Sequence, residues 1–147
     1  MNYMNVDILL VEDNLQEAKL TIMSLEENRL SSRLFHVEDG AEALDFLFAL
    51  GKYEARLNYR NPKLILLDLK LPKINGFEVL KEVKNHERTK YIPVVILTSS
   101  GENRDVEAGY QLGVNSYIVK PVAFDSFSKA VADLGMYWTV LNTPPLR

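Results

Sequence analysis

The 147-residue sequence contains no cysteine. Disulfide bonds and thiol chemistry are therefore excluded, and the chain is compatible with a reducing cytoplasm. No apolar stretch approaches the roughly 18 residues that a membrane span requires. The opening residues, MNYMNVD, have neither a basic flank nor a long apolar segment, so no secretory signal is read there. No basic run suggests a nucleic-acid arm, and the formal net charge is −3. No internal repeat or break in composition divides the chain, and its length suits a single domain over 1–147 with one core of ordinary size.

What is present is a globular balance, 47% hydrophobic and 25% charged. The charge is unevenly spread. Residues 1–50 carry ten acids against three bases, and residues 51–147 carry fourteen bases against ten acids. A solvated surface accounts for that asymmetry.

Short apolar runs alternate with amphipathic segments. VDILLVE (6–12) predicts a first strand, and 14–28 has helical spacing through Leu15, Ala18, Ile22 and Leu25. RLFHVED (33–39) predicts a second strand, followed by a helix over 40–50. Residues 51–62 show no period and read as a loop. A third strand covers 63–68. Asn75 then caps a helix to about His86, with Glu78 three residues on as a capping box requires. IPVVILTS (92–99) predicts a fourth strand, 103–112 a helix closed by Gly113, 115–120 a fifth strand and 124–141 a last helix. TPPLR cannot continue it, because proline lacks the N–H and clashes with the preceding turn. Five strand–helix repeats predict an α/β fold, a parallel sheet covered on both faces.

Ligands of such sheets bind at the C-terminal edge of the strands. On that edge the sequence places Glu12 and Asp13 after strand one, Asp68 after LILL of strand three, Thr98 and Ser99 after strand four, and Lys120 and Pro121 after strand five. A carboxylate beside a core strand is costly unless compensated. Three clustered carboxylates repel one another unless a cation sits among them, and oxygen donors select a hard cation such as Mg²⁺. A lysine holds an anion as a point charge and a hydroxyl donates one hydrogen bond to it. Together these describe a phosphoryl site in which Asp68 can act as nucleophile and form an acyl phosphate.

These residues bring the chain to a known family. LLVEDN (9–14), LILLDLKLPKINGFEVL (64–80), VVILTSS (94–100) and YIVKP (117–121) resemble the receiver domain of bacterial two-component response regulators over about 5–141, leaving 142–147 as a tail. The resemblance implies a flavodoxin-like (βα)5 doubly wound fold with strand order 2-1-3-4-5. It implies Asp68 as phospho-acceptor, Asp13 and Glu12 as ligands of Mg²⁺ (or Mn²⁺), and the backbone carbonyl of Lys70 as a further ligand. Lys120 would pair with Asp68 and then with the phosphoryl oxygens. Thr98 and Tyr117 would form the switch pair, and Lys120–Pro121 would be a cis peptide. The donor would be a phosphohistidine on a sensor histidine kinase.

Only a few residues follow the last helix, so the expectation is a stand-alone cytoplasmic receiver without a DNA-binding output domain, signalling through protein contacts. Phe127, Val131, Leu134, Trp138 and Leu141 recur at spacings of 4, 3, 4 and 3. That stripe suits packing against the sheet. With Tyr137 it also suits a homodimer through the face made by helix 4, strand 5 and helix 5. The 51–63 loop, the late aromatics and the Pro-rich tail resemble the small response regulators that serve bacterial phytochromes. The loop reads as solvated or as an element for kinase docking or dimer stabilisation. His36 and His86 have no ligand partners at metal spacing and read as strand-surface or solvent residues. A haloacid-dehalogenase-type phosphatase would want an aspartate where Lys70 stands. A receiver-like adaptor working without phosphorylation is the alternative.

Overall fold

A computed structural model of the chain describes residues 3–30, 33–121 and 123–145. Strand and helix alternate along it as β1 (Ile8–Val11), α1 (Leu15–Glu27), β2 (Leu34–Val37), α2 (Gly40–Phe48), β3 (Leu64–Leu67), α3 (Gly76–Lys84), β4 (Val94–Thr98), α4 (Asn103–Gln111), β5 (Ser116–Val119) and α5 (Phe124–Met136). The five strands form one sheet in the order β2-β1-β3-β4-β5, every neighbouring pair parallel. This is the doubly wound arrangement expected from the sequence.

β1 (ILLV) and β3 (LILL) are apolar and buried at every position because helices cover both faces of the sheet. Leu9, Val11, Ile65, Leu67, Val94 and Ile96 pack with Phe46 and Leu47 of α2 and Val79, Leu80 and Val83 of α3. Their neighbours Ile8, Leu10, Leu64, Leu66, Val95 and Leu97 pack with Leu25 of α1 and Phe127 and Val131 of α5. A one-residue slip of a strand would exchange the two sets, so packing fixes register. Register in turn fixes which residues arrive at the C-terminal edge.

Caps mark the helix starts near that edge. Asn14 Oδ1 accepts from the N–H groups of Gln16 and Glu17, and Asn75 Oδ1 accepts from the N–H of Glu78 at 3.0 Å. Gly113, at φ +97°, closes α4 in a conformation that favours glycine.

Four expectations need correction. Residues 51–62 are not an irregular loop throughout: Gly51–Arg56 form a 3₁₀ helix with Tyr53 and Arg56 buried. The Arg56 guanidinium lies 3.7 Å over the Phe46 ring and donates to the carbonyls of Phe46 and Tyr3, in a cluster with Phe35 and Tyr53. Lys52 pairs with Glu42 and Arg60 with Asp7, so much of the loop's positive charge is satisfied within the chain.

The last α-helix ends at Met136 and continues as a π-helical turn, Tyr137–Leu141, closed by the Asn142 N–H on the Tyr137 carbonyl. The wider turn carries Leu141 out to solvent. Phe127 and Val131 are core residues, unavailable to a dimer face, because α5 spends that part of its stripe on the sheet and α1. Leu134 and Trp138 lie partly buried against the same cluster, while Tyr137 is exposed.

The Lys120–Pro121 bond is trans, and no cis peptide occurs among the described residues. Trans remains the preferred state even before proline, and here the Lys120 N–H extends the β4–β5 pairing by donating to the Thr98 carbonyl at 2.7 Å. Leu146 and Arg147 of the tail lie outside the described residues.

Candidate functional site

Three of the expected residues sit one step beyond their strands, each held by a backbone hydrogen bond. Glu12 donates its N–H to the Val37 carbonyl, Asp68 to that of Val11 and Lys120 to that of Thr98. Their side chains are therefore delivered to one edge by the sheet itself, from positions as far as 108 residues apart in sequence.

Carboxylate oxygens of Glu12, Asp13 and Asp68 lie within 4.8 Å of one another. Glu12 is buried, Asp68 half-buried and Asp13 exposed. Asp68 Oδ1 accepts from the Leu69 N–H at 2.7 Å, which fixes the carboxylate, while Oδ2 stands 3.8 Å from Lys120 Nζ. Lys120 Nζ is hydrogen-bonded at 2.8 Å to Glu12 Oε1 and at 2.8 Å to Glu17 Oε1. Asn14 N–H and the His36 ring hold Glu12 from the outside, the latter at 2.7 Å from its carbonyl oxygen.

The electrostatics follow from burial. Burial pushes the Glu12 carboxyl up to about 7; the Lys120 hydrogen bond pulls it down and the Asp68 charge pushes it further up. Burial alone would lower the Lys120 ammonium, but the hydrogen bonds to Glu12 and Glu17 and the nearby negative charges outweigh it and raise it. The lysine is thus a firm cation among an excess of acids. The donor set, three carboxylates and no sulfur or imidazole, fits a hard divalent cation such as Mg²⁺ or Mn²⁺.

Thr98 is fully buried at the end of β4, and its Oγ1 accepts a long 3.4 Å bond from the Ser100 N–H. Tyr117 on β5 donates its hydroxyl to the Ser100 carbonyl at 2.8 Å, and the Ser100 hydroxyl donates to Asp105 Oδ2 at 2.5 Å. Thr98 and Tyr117 are thereby joined through one residue of the β4–α4 loop. The Tyr117 ring lies where a Cβ on Gly109 would come within 3.3 Å of it. Burial raises the Tyr117 phenol. Lys70 is exposed two residues past Asp68, and Ser99 is exposed beside Thr98.

Several participants were not visible in the sequence reading. Glu17 is the chief one. It stands in the first turn of α1, three residues after the Asn14 cap, and acids in a first turn ordinarily read as complements to the helix dipole. His36 steadies the Glu12 backbone through its ring nitrogen. His86 is exposed and accepts the Arg88 N–H on Nδ1.

The profile of the response regulator receiver domain matches residues 8–132. The chain is 41% identical over 138 residues to response regulator Rcp1 of Synechocystis sp., covering 94% of this chain and 92% of that protein. The Mn²⁺-bound form of Rcp1 superposes with a TM-score of 0.84 at 40% identity, over 94% of this chain and 97% of that one. Phosphorylated RcpA, a cyanobacterial phytochrome response regulator, gives 0.87 at 37% identity, over 96% and 99%. The bacteriophytochrome response regulator RtBRR gives 0.76 at 53% identity, over 97% and 85%.

Proposed function

The chain belongs to the response regulator receiver domain family, and from that premise we propose that it accepts a phosphoryl group on Asp68 from a phosphohistidine of a sensor histidine kinase and signals through a changed protein-contact face. The observation that carries this reading is the convergence of Asp68, Glu12, Asp13 and Lys120 at one sheet edge. In the transfer, Asp68 Oδ2 forms the new P–O bond while the P–N bond to the donor imidazole breaks and its electron pair returns to the ring. Hydrolysis of the acyl phosphate by water then restores the carboxylate and releases inorganic phosphate.

Glu12, Asp13 and Asp68 would hold the divalent cation, with the carbonyl of Lys70 as a further oxygen donor. The cation, when bound, neutralises charge on the transferring group and screens the carboxylates from one another. Lys120 would hold a phosphoryl oxygen as a point charge. Thr98 would donate its hydroxyl to another, releasing the Ser100 N–H, and Tyr117 would follow through the Ser100 carbonyl. The phosphoryl group can shift this equilibrium only by interacting differently with its two states.

The names of RcpA and RtBRR support a bacterial phytochrome as the partner kinase. The chain matches 92% of the length of Rcp1, which supports a reading as a receiver of the same small type, and no helix among the described residues is long and apolar enough to cross a membrane. A homodimer through α4, β5 and α5 is supported by the exposed Tyr110, Val119, Met136 and Tyr137 on that face. It is also supported by a groove lined by Ile118, Leu134, Tyr137 and Trp138.

The test is exposure to acetyl phosphate with and without Mg²⁺, read by intact mass and sedimentation. A metal-dependent gain of one phosphoryl, absent in Asp68→Asn, is the expected result. No gain in the unsubstituted chain that still binds Mg²⁺ would overturn the acceptor reading in favour of a phosphorylation-independent adaptor.

A further inference from the structure

Lys120 is shared among three carboxylates on unequal terms. Its Nζ lies at hydrogen-bond distance from Glu12 and Glu17, 2.8 Å each, but at 3.8 Å from Asp68. The last value exceeds a hydrogen bond. Two of the three ammonium N–H groups are spent on the glutamates, so a full turn of the lysine toward a phosphoryl oxygen carried on Asp68 is opposed by what it holds now.

The two present partners differ in how easily they can be released. The Glu12 side chain is 4% exposed and belongs to the acidic cluster. The Glu17 side chain is 37% exposed and lies on the first turn of α1, with open solvent to swing into. Its backbone is pinned by the Asn14 cap, so it can return to the same place. Lys120 points to α1 because it follows Ile118 by two residues and shares its face of the sheet, the face packed on α1 and α5.

We propose that Glu17 is a positioning residue that holds Lys120 off Asp68 in the unmodified protein and so sets how readily the phosphoryl group is taken up. The contact favours the unmodified state and is lost when the lysine turns to the phosphoryl oxygens, which makes it a differential interaction of the kind that shifts a two-state equilibrium. Glu17 touches neither donor nor acceptor oxygen; it acts through the lysine. Because the pair is partly exposed, the hold weakens as ionic strength rises.

The proposal rests on Asp68 as phospho-acceptor, and the test separates the two. Glu17→Gln keeps the reach and removes the charge; Glu17→Asp keeps the charge and is one methylene too short for the contact. The unsubstituted chain and both variants are compared by initial rate of phosphoryl uptake from acetyl phosphate with Mg²⁺. The ¹⁵N resonance of the Lys120 ammonium is followed in the unmodified proteins and assigned by its absence in Lys120→Met. Both variants should shift that resonance and raise uptake about two- to fivefold, the scale an exposed ion pair commands. Lys120 resonances unchanged in both variants, or uptake unchanged or slowed in both, would overturn the proposal. A gain in Glu17→Gln without one in Glu17→Asp would also overturn it, since net charge alone would then be the cause. No uptake in the unsubstituted chain overturns the acceptor reading itself, and this proposal with it.

Discussion

Gly76 tests the link between packing and chemistry, because it sits against the backbone of the acceptor. A Cβ built there meets the Asp68 carbonyl oxygen and stands 2.7 Å from Leu69 Cα. Ordinary carbon contacts need about 3.5 Å or more, so Gly76→Ala must open that gap by about 0.8 Å. The obstacle is main chain, which cannot rotate away as a flexible side chain would. Alanine would gain about 1 kcal/mol of helix propensity. Overpacking costs roughly 1–3 kcal/mol, and an obstacle of rigid main chain puts this site at about 2–3 kcal/mol, so the steric term wins and the net loss is about 1–2 kcal/mol. For a chain of this size that corresponds to a fall in Tm of roughly 3–6 °C. The larger effect falls on function. The shift displaces Asp68 relative to Glu12 and Lys120, and a misplacement near 1 Å can cost about a hundredfold in rate. The assays are thermal unfolding and phosphoryl uptake from acetyl phosphate. Gly101→Ala is the control, since its Cβ would meet only the two Val119 methyls, at 3.4 and 3.7 Å, and it should leave Tm unchanged. A Gly76→Ala protein with wild-type Tm and uptake would refute the reasoning.

Metal binding should depend on pH through Glu12. Its folded-state pKa, raised from 4.5 to about 7, means that the folded, metal-free protein binds an extra proton between those values; stability fully present below 4.5 is lost as pH rises through 7. A cation requires the carboxylate, so Mg²⁺ affinity by calorimetry should be about tenfold weaker at pH 6 than at pH 8, with proton release on binding. Glu12→Gln should flatten that dependence, and equal affinities at the two pH values in the unsubstituted chain would contradict it. Arg56→Met should take the guanidinium donors from the Tyr3 and Phe46 carbonyls, the latter keeping the Ala49 N–H at 3.4 Å, and cost about 2 kcal/mol by chemical denaturation. That loss is tempered because it removes a buried cation whose pKa burial has pushed down to about 10. Phosphoryl uptake should be unaffected, since Arg56 lies toward the end of the sheet opposite Asp68.

The sheet was legible because uninterrupted apolar runs such as Leu64–Leu67 leave a strand few alternatives, and the acids placed just after them could only lie on one edge. Less legible were features that depend on partners distant in sequence. Arg56 reads as a solvated loop residue until Tyr3, Phe35, Phe46 and Tyr53 are seen around it. Glu17 reads as an ordinary first-turn acid until Lys120 reaches it from 103 residues away. The stripe on the last helix was correctly spaced, but periodicity could not divide it: Phe127 and Val131 go to the core, and the π-helical turn sends Leu141 outward.

The lysine that balances the acidic edge arrives last. During synthesis Glu12, Asp13, Glu17 and Asp68 are all made before Lys120, so a chain stopped after β4 carries the four carboxylates without the lysine that bonds Glu12 and Glu17 and faces Asp68. Closure of β5 onto β4 is therefore the step that brings this lysine to the acidic edge. A truncated or incompletely folded chain lacks this switch altogether, instead of carrying a weakened form of it.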